Sequence, residues 1–232
     1  MSRTFSKAAA CLLLGPALLA SSIAQAHQAG DFIVRAGAVV VDPREDSGSL
    51  KLDGVSAPGT GATLDSDTQL GLNFAYMLTN QLGIELLAAT PFSHEVGVKG
   101  LIPTGLNGKL ANIKHLPPTV SLVYYPMQKQ TAFKPYVGVG INYTTFFSES
   151  LTSERKQQGF SSLKLDDSYG VAFQVGADYM LSDNWMVNAQ VRYIDIDTDA
   201  TVKGPTELGV NKTKVSVDVD PWAYMVGVGY KF

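Results

Sequence analysis

Apolar and polar residues alternate in eight stretches of the chain. The clearest is the last one, where apolar residues occupy every second position: Trp222, Tyr224, Val226, Val228, Tyr230 and Phe232. Because successive side chains of a β-strand point to opposite faces, this pattern predicts a strand with one aromatic face and one small or polar face. The predicted strands cover residues 31–41, 68–76, 82–90, 116–125, 136–147, 168–180, 185–197 and 214–232.

The connections between these strands alternate in length. Those at 77–81 and 181–184 are tight turns and that at 126–135 is somewhat longer, whereas the others are long, polar and rich in Gly, Ser and Lys: 42–67, 91–115, 148–167 and 198–213. Outer-membrane barrels have short turns at the periplasmic end and long loops outside. The even number of strands then places both chain termini on the periplasmic side.

The two faces of the predicted strands differ in charge. One face is apolar throughout, and the charged residues of the strand cores all fall on the other: Arg35, Glu85, Asp178, Arg192 and Lys231. Aromatic residues also bracket the apolar face at both ends, as with Trp185 and Tyr193 on one strand. A soluble lipocalin-like barrel turns its apolar face inward and needs no such bands. The pattern therefore predicts an all-β fold, an eight-stranded antiparallel transmembrane β-barrel with a charged lumen.

The first 26 residues have the features of a secretory signal peptide. Arg3 and Lys7 precede an apolar run at 8–20, and Ala24-Gln25-Ala26 forms a cleavage signal. We therefore expect residues 1–26 to be a leader and residues 27–232 to be the barrel. Beyond residue 26, no apolar run reaches the roughly 18 to 20 residues of a membrane-spanning helix, so a closed barrel is the expected way to cross a membrane.

Composition narrows the chemistry of the mature chain. The single cysteine, Cys11, lies in the predicted leader, so no disulfide, thiolate metal site or cysteine nucleophile is expected. Loss of Arg3 and Lys7 changes the net charge from −3 to −5, which gives no indication of a nucleic-acid partner. The predicted barrel implies outer-membrane lipid with lipopolysaccharide and the barrel assembly machinery as partners.

No resident metal, cofactor or catalytic site is expected. Asp195-x-Asp197-x-Asp199 has the opening spacing of a calcium loop, but it lacks glycine at the sixth position and glutamate at the twelfth. The histidines after residue 26 lie at the start of the barrel and in one predicted loop, with no spacing typical of a hydrolase triad.

The lower and upper parts of the predicted lumen differ. In the lower part, Arg35, Arg192 and Lys231 are expected to pair with Glu85 and Asp178 in a polar plug, since an unpaired buried charge is costly. Towards the outer end, the inward positions become apolar, namely Ile194, Ile196, Val215, Val217 and Val219. This change indicates either an apolar upper lumen or a bulge near Asp220-Pro221, where strands rise into water.

Prolines lie at the facing ends of two neighbouring strands. Pro91 ends the third predicted strand, and Pro117 and Pro118 open the fourth. Proline cannot donate a hydrogen bond to the ladder. The sequence is consistent with ordinary strand termination or with a lateral gap in the barrel wall.

Several motifs resemble the OmpW family of outer-membrane proteins, especially its pseudomonad OprG branch. They are L-D-S-D-T-Q-L-G-L at 64–72, E-L-L-A-A-T-P-F at 85–92, L-P-P-T at 116–119, G-I-N-Y-T-T-F-F at 140–147, Y-I-D-I-D-T at 193–198 and D-P-W at 220–222. These motifs extend over essentially the whole predicted mature chain.

The resemblance implies a hydrophobic channel for passive uptake of small hydrophobic molecules by lateral diffusion into the membrane. It also implies an apolar constriction in the lumen, at which Leu87 matches a family position and Arg192 stands where the family has tryptophan. Two alternatives stay open: a structural or adhesive barrel acting through its loops, and a channel for small amino acids.

Overall fold

The computed structural model describes residues 27–101, 105–127 and 131–232, and its regular structure is almost entirely β-sheet. The predicted leader, residues 1–26, lies outside the described residues. In chain order the strands are β1 Phe32–Asp42, β2 Asp46–Ser47, β3 Leu50–Leu52, β4 Val55–Ala57, β5 Gly61–Leu64, β6 Asp67–Met77, β7 Leu82–Ala89, β8 Phe92–Lys99, β9 Gly108–Leu116, β10 Thr119–Tyr124, β11 Phe133–Leu151, β12 Ser161–Leu165, β13 Ser168–Met180, β14 Trp185–Ile194, β15 Asp197–Lys203, β16 Lys212–Asp218 and β17 Trp222–Lys231. A short helix α1, Ser153–Gln157, and a 3₁₀ turn, Thr206–Leu208, lie between them.

Eight of these strands close into the predicted antiparallel barrel. Their order around the wall is β1, β6, β7, β10, β11, β13, β14 and β17, and β17 pairs back to β1. At this closing pair Gly37 lies opposite Gly227, and a Cβ on Gly37 would meet the carbonyl oxygen of Val226. Glycine is needed there because the two backbones approach too closely for any side chain.

The predicted faces of the barrel strands are confirmed. Ile141 on the outer face is 70% exposed, whereas Arg35 in the lumen is 0% exposed. Aromatic pairs lie on the outside at both ends, with Trp185 against Tyr230 at the short-turn end and Tyr193 against Trp222 at the other. The nine residues from Trp185 to Tyr193 on β14 span roughly 20 Å along the barrel axis, which fits the apolar thickness of an outer membrane.

No helix within the described ranges is long and apolar enough to cross a membrane.

The long connections differ from the prediction. Most of the residues predicted as loops form further strands that extend the wall beyond the apolar band: β5, β8 and β9 continue from β11, and β2, β3, β4, β12, β15 and β16 form a second sheet. Of these strands, β16 lies mostly within the predicted strand 214–232. The rim strands are at most nine residues long, so the alternation within each is brief. The sequence pattern therefore missed a raised rim above the barrel.

Two predicted strands are interrupted where the chain enters this rim. The segment 185–197 contains β14 and only the first residue of β15, and the segment 214–232 contains most of β16 and all of β17. Asp220 lies in the left-handed region with φ 36°. Val219 N still donates to Ile196 O at 2.8 Å, so the two breaks face each other. This paired irregularity turns the apolar side of β15 and β16 towards the interior.

Candidate functional site: an apolar cavity above a polar floor

The floor of the upper lumen is a buried polar network centred on Arg35. Its Nε and Nη2 donate to the Asp178 carboxylate at 2.9 and 2.6 Å, and Nη1 donates to Asn73 at 3.0 Å and to Glu85 at 3.3 Å. Nη2 also donates to the hydroxyl of Tyr125 at 2.7 Å. Barrel strands on opposite sides of the lumen supply these groups, so the network crosses the bore.

Arg192 was expected both in the plug and at the constriction; it belongs to this network and is not among the residues that line the cavity. Its Nη2 donates to Glu85 Oε1 at 2.7 Å, and its Nε donates to Gln174 Oε1 at 2.7 Å. Gln174 Nε2 donates to the same oxygen of Glu85 at 2.9 Å. Glu85 therefore links the two arginines.

Lys231 lies apart from the other members of the predicted plug. Its Nζ is 3.8 Å from Asp31 Oδ2, and no ion pair with Glu85 or Asp178 occurs among the described residues. Lys231 is the last residue of β17 and pairs in register with Ile33 at the short-turn end. That position puts it below the network, beside the chain segment that enters β1.

An apolar cluster closes the barrel at the short-turn end. Its buried members are Ile33, Ala75, Met77, Val123, Tyr125, Tyr136, Met180 and Met186. An eight-stranded barrel is just wide enough for its inward side chains to fill. This cluster and the network above it occupy the lower lumen.

Above the floor, the interior is apolar up to the rim. Leu87 and Ile194 are buried in one large cluster that reaches from the barrel into the rim, but neither lines the open cavity. Ile196, Val215, Val217 and Val219 line the cavity. The cavity has an empty volume of about 1180 Å³, part of it open to solvent.

The wall beside the cavity contains an interrupted ladder, called here the seam, between residues 88–91 and 116–118. Pairing of β7 with β10 stops at Leu87 opposite Thr119, and pairing of β8 with β9 resumes at Phe92 opposite His115. No strand pairing joins the two sides of the seam in the described chain. Within the seam, Pro91 and Pro118 are exposed, whereas Pro117 is buried.

The segment 116–118 lacks ladder partners on the side of the seam but keeps hydrogen bonds to β11 on its other side. Tyr143 N donates to Pro118 O at 3.2 Å, which holds the chain against β11. Asn142 Nδ2 donates to the same carbonyl at 3.1 Å. The prolines thus leave the β11 junction bonded and interrupt the junction with β7 and β8.

A histidine pair on the cavity wall was missed by the sequence analysis. The Nε2 atoms of His94 on β8 and His115 on β9 are 2.8 Å apart, and both rings line the cavity. Burial and the neighbouring His94 lower the pKa of His115 to about 3, so this ring is neutral near pH 7. Alternating buried residues at Phe92, His94 and Val96 could have indicated the strand that carries the first histidine.

Three carboxylates gather at the outer rim. Asp195, Asp197 and Asp220 place ligand oxygens within 4.8 Å of one another. Partial burial and the neighbouring carboxylates, including Asp218, raise the pKa of Asp197. Asp220 Oδ1 accepts a hydrogen bond from Ile196 N at 3.2 Å, so part of this cluster supports the strand break. Acidic groups at exposed positions commonly cluster without a cation.

Comparison with known proteins agrees with this architecture. The OmpW family model matches residues 28–232. The chain is 45% identical to outer membrane protein W of Vibrio cholerae serotype O1, over 96% of this chain and 98% of that protein. The crystal structure of OprG from Pseudomonas aeruginosa superposes with a TM-score of 0.87 at 60% identity, over 90% of this chain and 98% of that chain. The dibenzothiophene metabolism operon protein PahQ of Pseudomonas aeruginosa is 26% identical, over 80% of this chain and 82% of that protein. The chain is an outer-membrane β-barrel protein that belongs to the OmpW family.

Proposed function

We propose that the protein carries small hydrophobic molecules passively across the lipopolysaccharide layer and releases them sideways into the outer membrane. The solute enters from the rim, occupies the apolar cavity and leaves through the seam beside Pro91. The observation that carries this proposal is the juxtaposition of an apolar cavity, a filled polar floor beneath it and an interrupted ladder in its wall.

The energetics favour an apolar solute and a lateral exit. Burying roughly 200 Å² of apolar surface gains about 5 kcal/mol, and the membrane offers a similar gain, so transfer needs no energy coupling. Passage through the floor would separate buried ion pairs, at a cost of several kcal/mol. Release into lipid avoids that cost.

The cavity also disfavours the amino-acid alternative. A zwitterion in this space would lose its hydration, and the wall offers few polar groups in return. The name of the relative PahQ refers to the metabolism of dibenzothiophene, an aromatic and hydrophobic compound. Both points support a hydrophobic cargo.

Replacing Pro91 by valine is expected to slow hydrophobic uptake. Valine supplies the N–H that proline lacks, and it favours strand structure, so the ladder can extend across the seam. One added backbone hydrogen bond of about 1 kcal/mol shifts an open-to-closed equilibrium by roughly fivefold. The measurement is the initial rate of naphthalene uptake by cells with matched surface levels of each variant.

Pro126 provides a matched control for this substitution. It is an exposed proline just after β10 at the short-turn end, away from the seam. The Pro126→Val variant should take up naphthalene at the wild-type rate. If Pro91→Val also matched the wild type, lateral exit at this seam would be refuted.

A further inference from the structure

Lysines gather on the outer face of the second sheet of the rim. We call this surface the lysine face, and its members are Lys51, Lys164, Lys203, Lys212 and Lys214. Each lysine is exposed and adjoins a residue that lines the cavity, as Lys164 does between Leu163 and Leu165. Because successive side chains of a strand point to opposite faces, the lysines point away from the cavity, towards the surroundings of the rim.

Strand register places like charges directly opposite each other on this face. Lys203 pairs in register with Lys212, and Lys214 pairs in register with Lys51. Lys164 lies on β12, the next strand beyond β15. Like charges at directly opposed positions of antiparallel strands destabilise a sheet. An anion that binds across these four strands would offset this repulsion.

The carboxylates close to the lysine face along the chain have other partners. Asp53 accepts hydrogen bonds from the backbone N–H groups of Asn211 and Lys212 at 3.0 and 2.9 Å. Asp199 accepts from the hydroxyl of Ser216 at 2.5 Å. Within the described ranges, none of the five lysines forms an ion pair with a carboxylate. The face therefore presents a positive charge that the chain itself does not neutralise.

The other sheet of the rim places its lysines differently. Lys109 pairs with Glu95, and Lys114 has the neutral residues Ser93 and Phe147 as its neighbours in register. The centre of the lysine face, β15 and β16, continues β14 and β17, which lie opposite β7 and β10 in the barrel wall. The concentrated charge is thus on the side of the protein opposite the seam.

The lysine face lies well above the outer aromatic band of the barrel. Eight positions separate Trp222, in that band, from Lys214, which corresponds to roughly 20 Å along the barrel axis. The outward positions between them include Asp218, which pairs in register with Asp197. The phosphates of lipid A lie at the boundary of the apolar layer, where these carboxylates repel them. The anionic sugars of the lipopolysaccharide core lie above that boundary, within reach of the lysines.

We propose that the lysine face binds the phosphate and carboxylate groups of the lipopolysaccharide core, and so holds one glycolipid against the side of the barrel opposite the seam. A single exposed ion pair contributes little, but a network of several charges on one oligosaccharide contributes more. This binding is independent of the solute route, because the seam and the cavity take no part in it.

Acetylation of lysines by a soluble amine-reactive ester, read residue by residue by mass spectrometry, tests the proposal on the full barrel. The barrel is placed in phosphatidylcholine nanodiscs with EDTA, so that divalent cations do not bridge anionic groups. Complete lipopolysaccharide in the discs should slow acetylation of Lys164 and Lys214 about fivefold. Lipid A alone should leave their rates unchanged, and Lys114 should react at one rate in all discs. Protection by lipid A alone, equal protection of Lys114, or no protection by complete lipopolysaccharide would overturn the proposal.

A pair of double variants gives a second measurement. Titration calorimetry of the barrel in phosphatidylcholine nanodiscs with core oligosaccharide freed from its lipid should show about fivefold weaker binding for Lys164→Gln combined with Lys214→Gln. Lys99→Gln combined with Lys114→Gln removes the same charge from exposed positions on the other sheet of the rim and should bind as the wild type does. All four positions are exposed, so folding should be unaffected. Equal affinities of the two double variants would contradict the assignment of the lysine face.

Discussion

Replacing Arg35 by methionine is expected to lower the free energy of unfolding of the barrel by about 3–5 kcal/mol, the range for breaking a buried ion pair. The substitution leaves the Asp178 carboxylate buried at 0% exposure without its bidentate partner. Glu85 is less affected, because Arg192 still donates to it. The measurement is urea-induced unfolding of the refolded barrel in detergent micelles, followed by tryptophan fluorescence.

Two further variants separate the pair from general effects of charge. Arg44→Met removes the same charge from an exposed position and should change stability by no more than about 0.5 kcal/mol. Arg35→Met combined with Asp178→Leu removes both charges and should recover most of the loss. If Arg35→Met were as stable as Arg44→Met, the polar floor would not be a coupled network.

Replacing Val217 by asparagine is expected to reduce naphthalene uptake about tenfold. Val217 lines the cavity and is 4% exposed. When a solute binds, an amide at this position must lose its bound water. A cost of about 1.4 kcal/mol in the free energy of solute binding corresponds to a tenfold lower affinity. The initial uptake rate in whole cells, at matched surface levels, measures this effect.

Ser216→Asn is the matched control, since Ser216 is the adjacent residue of β16 and is exposed. It should transport naphthalene at the wild-type rate. Equal rates for the two variants would mean that the solute does not contact the inner side of β16.

The barrel itself could be predicted from the sequence because its strands have one strict requirement. Because lipid lies outside and a narrow lumen inside, side chains alternate between apolar and polar along each strand. The face on which Ile141 or Arg35 lies can therefore be predicted without tertiary information. The same parity argument indicated inward positions for Val217 and Ile196.

The rim and the partners within the lumen could not be predicted in this way. His94 and His115 are 21 residues apart along the chain and meet only because β8 pairs with β9. Parity gives the face on which Lys231 lies but not its position along the barrel axis. Its ion-pair partner, Asp31, lies just before the first barrel strand. The family resemblance placed Arg192 at the constriction, whereas its ion pair with Glu85, which the charge pattern also indicated, holds it in the floor. These outcomes depend on register, which a sequence pattern does not specify.

Photochemical labelling with an alkyl diazirine tests the lateral route most directly, because lumen-facing residues report where the solute travels. The account predicts labels on the inward side chains that flank the seam: Leu87, Phe92 and Thr119, which are at most 5% exposed. We also expect no labels below the cavity, on Gln174 of the floor or on Tyr136 of the apolar cluster beneath it. Labelled floor residues, with an unlabelled seam, would show that the solute passes down the bore and would contradict the account.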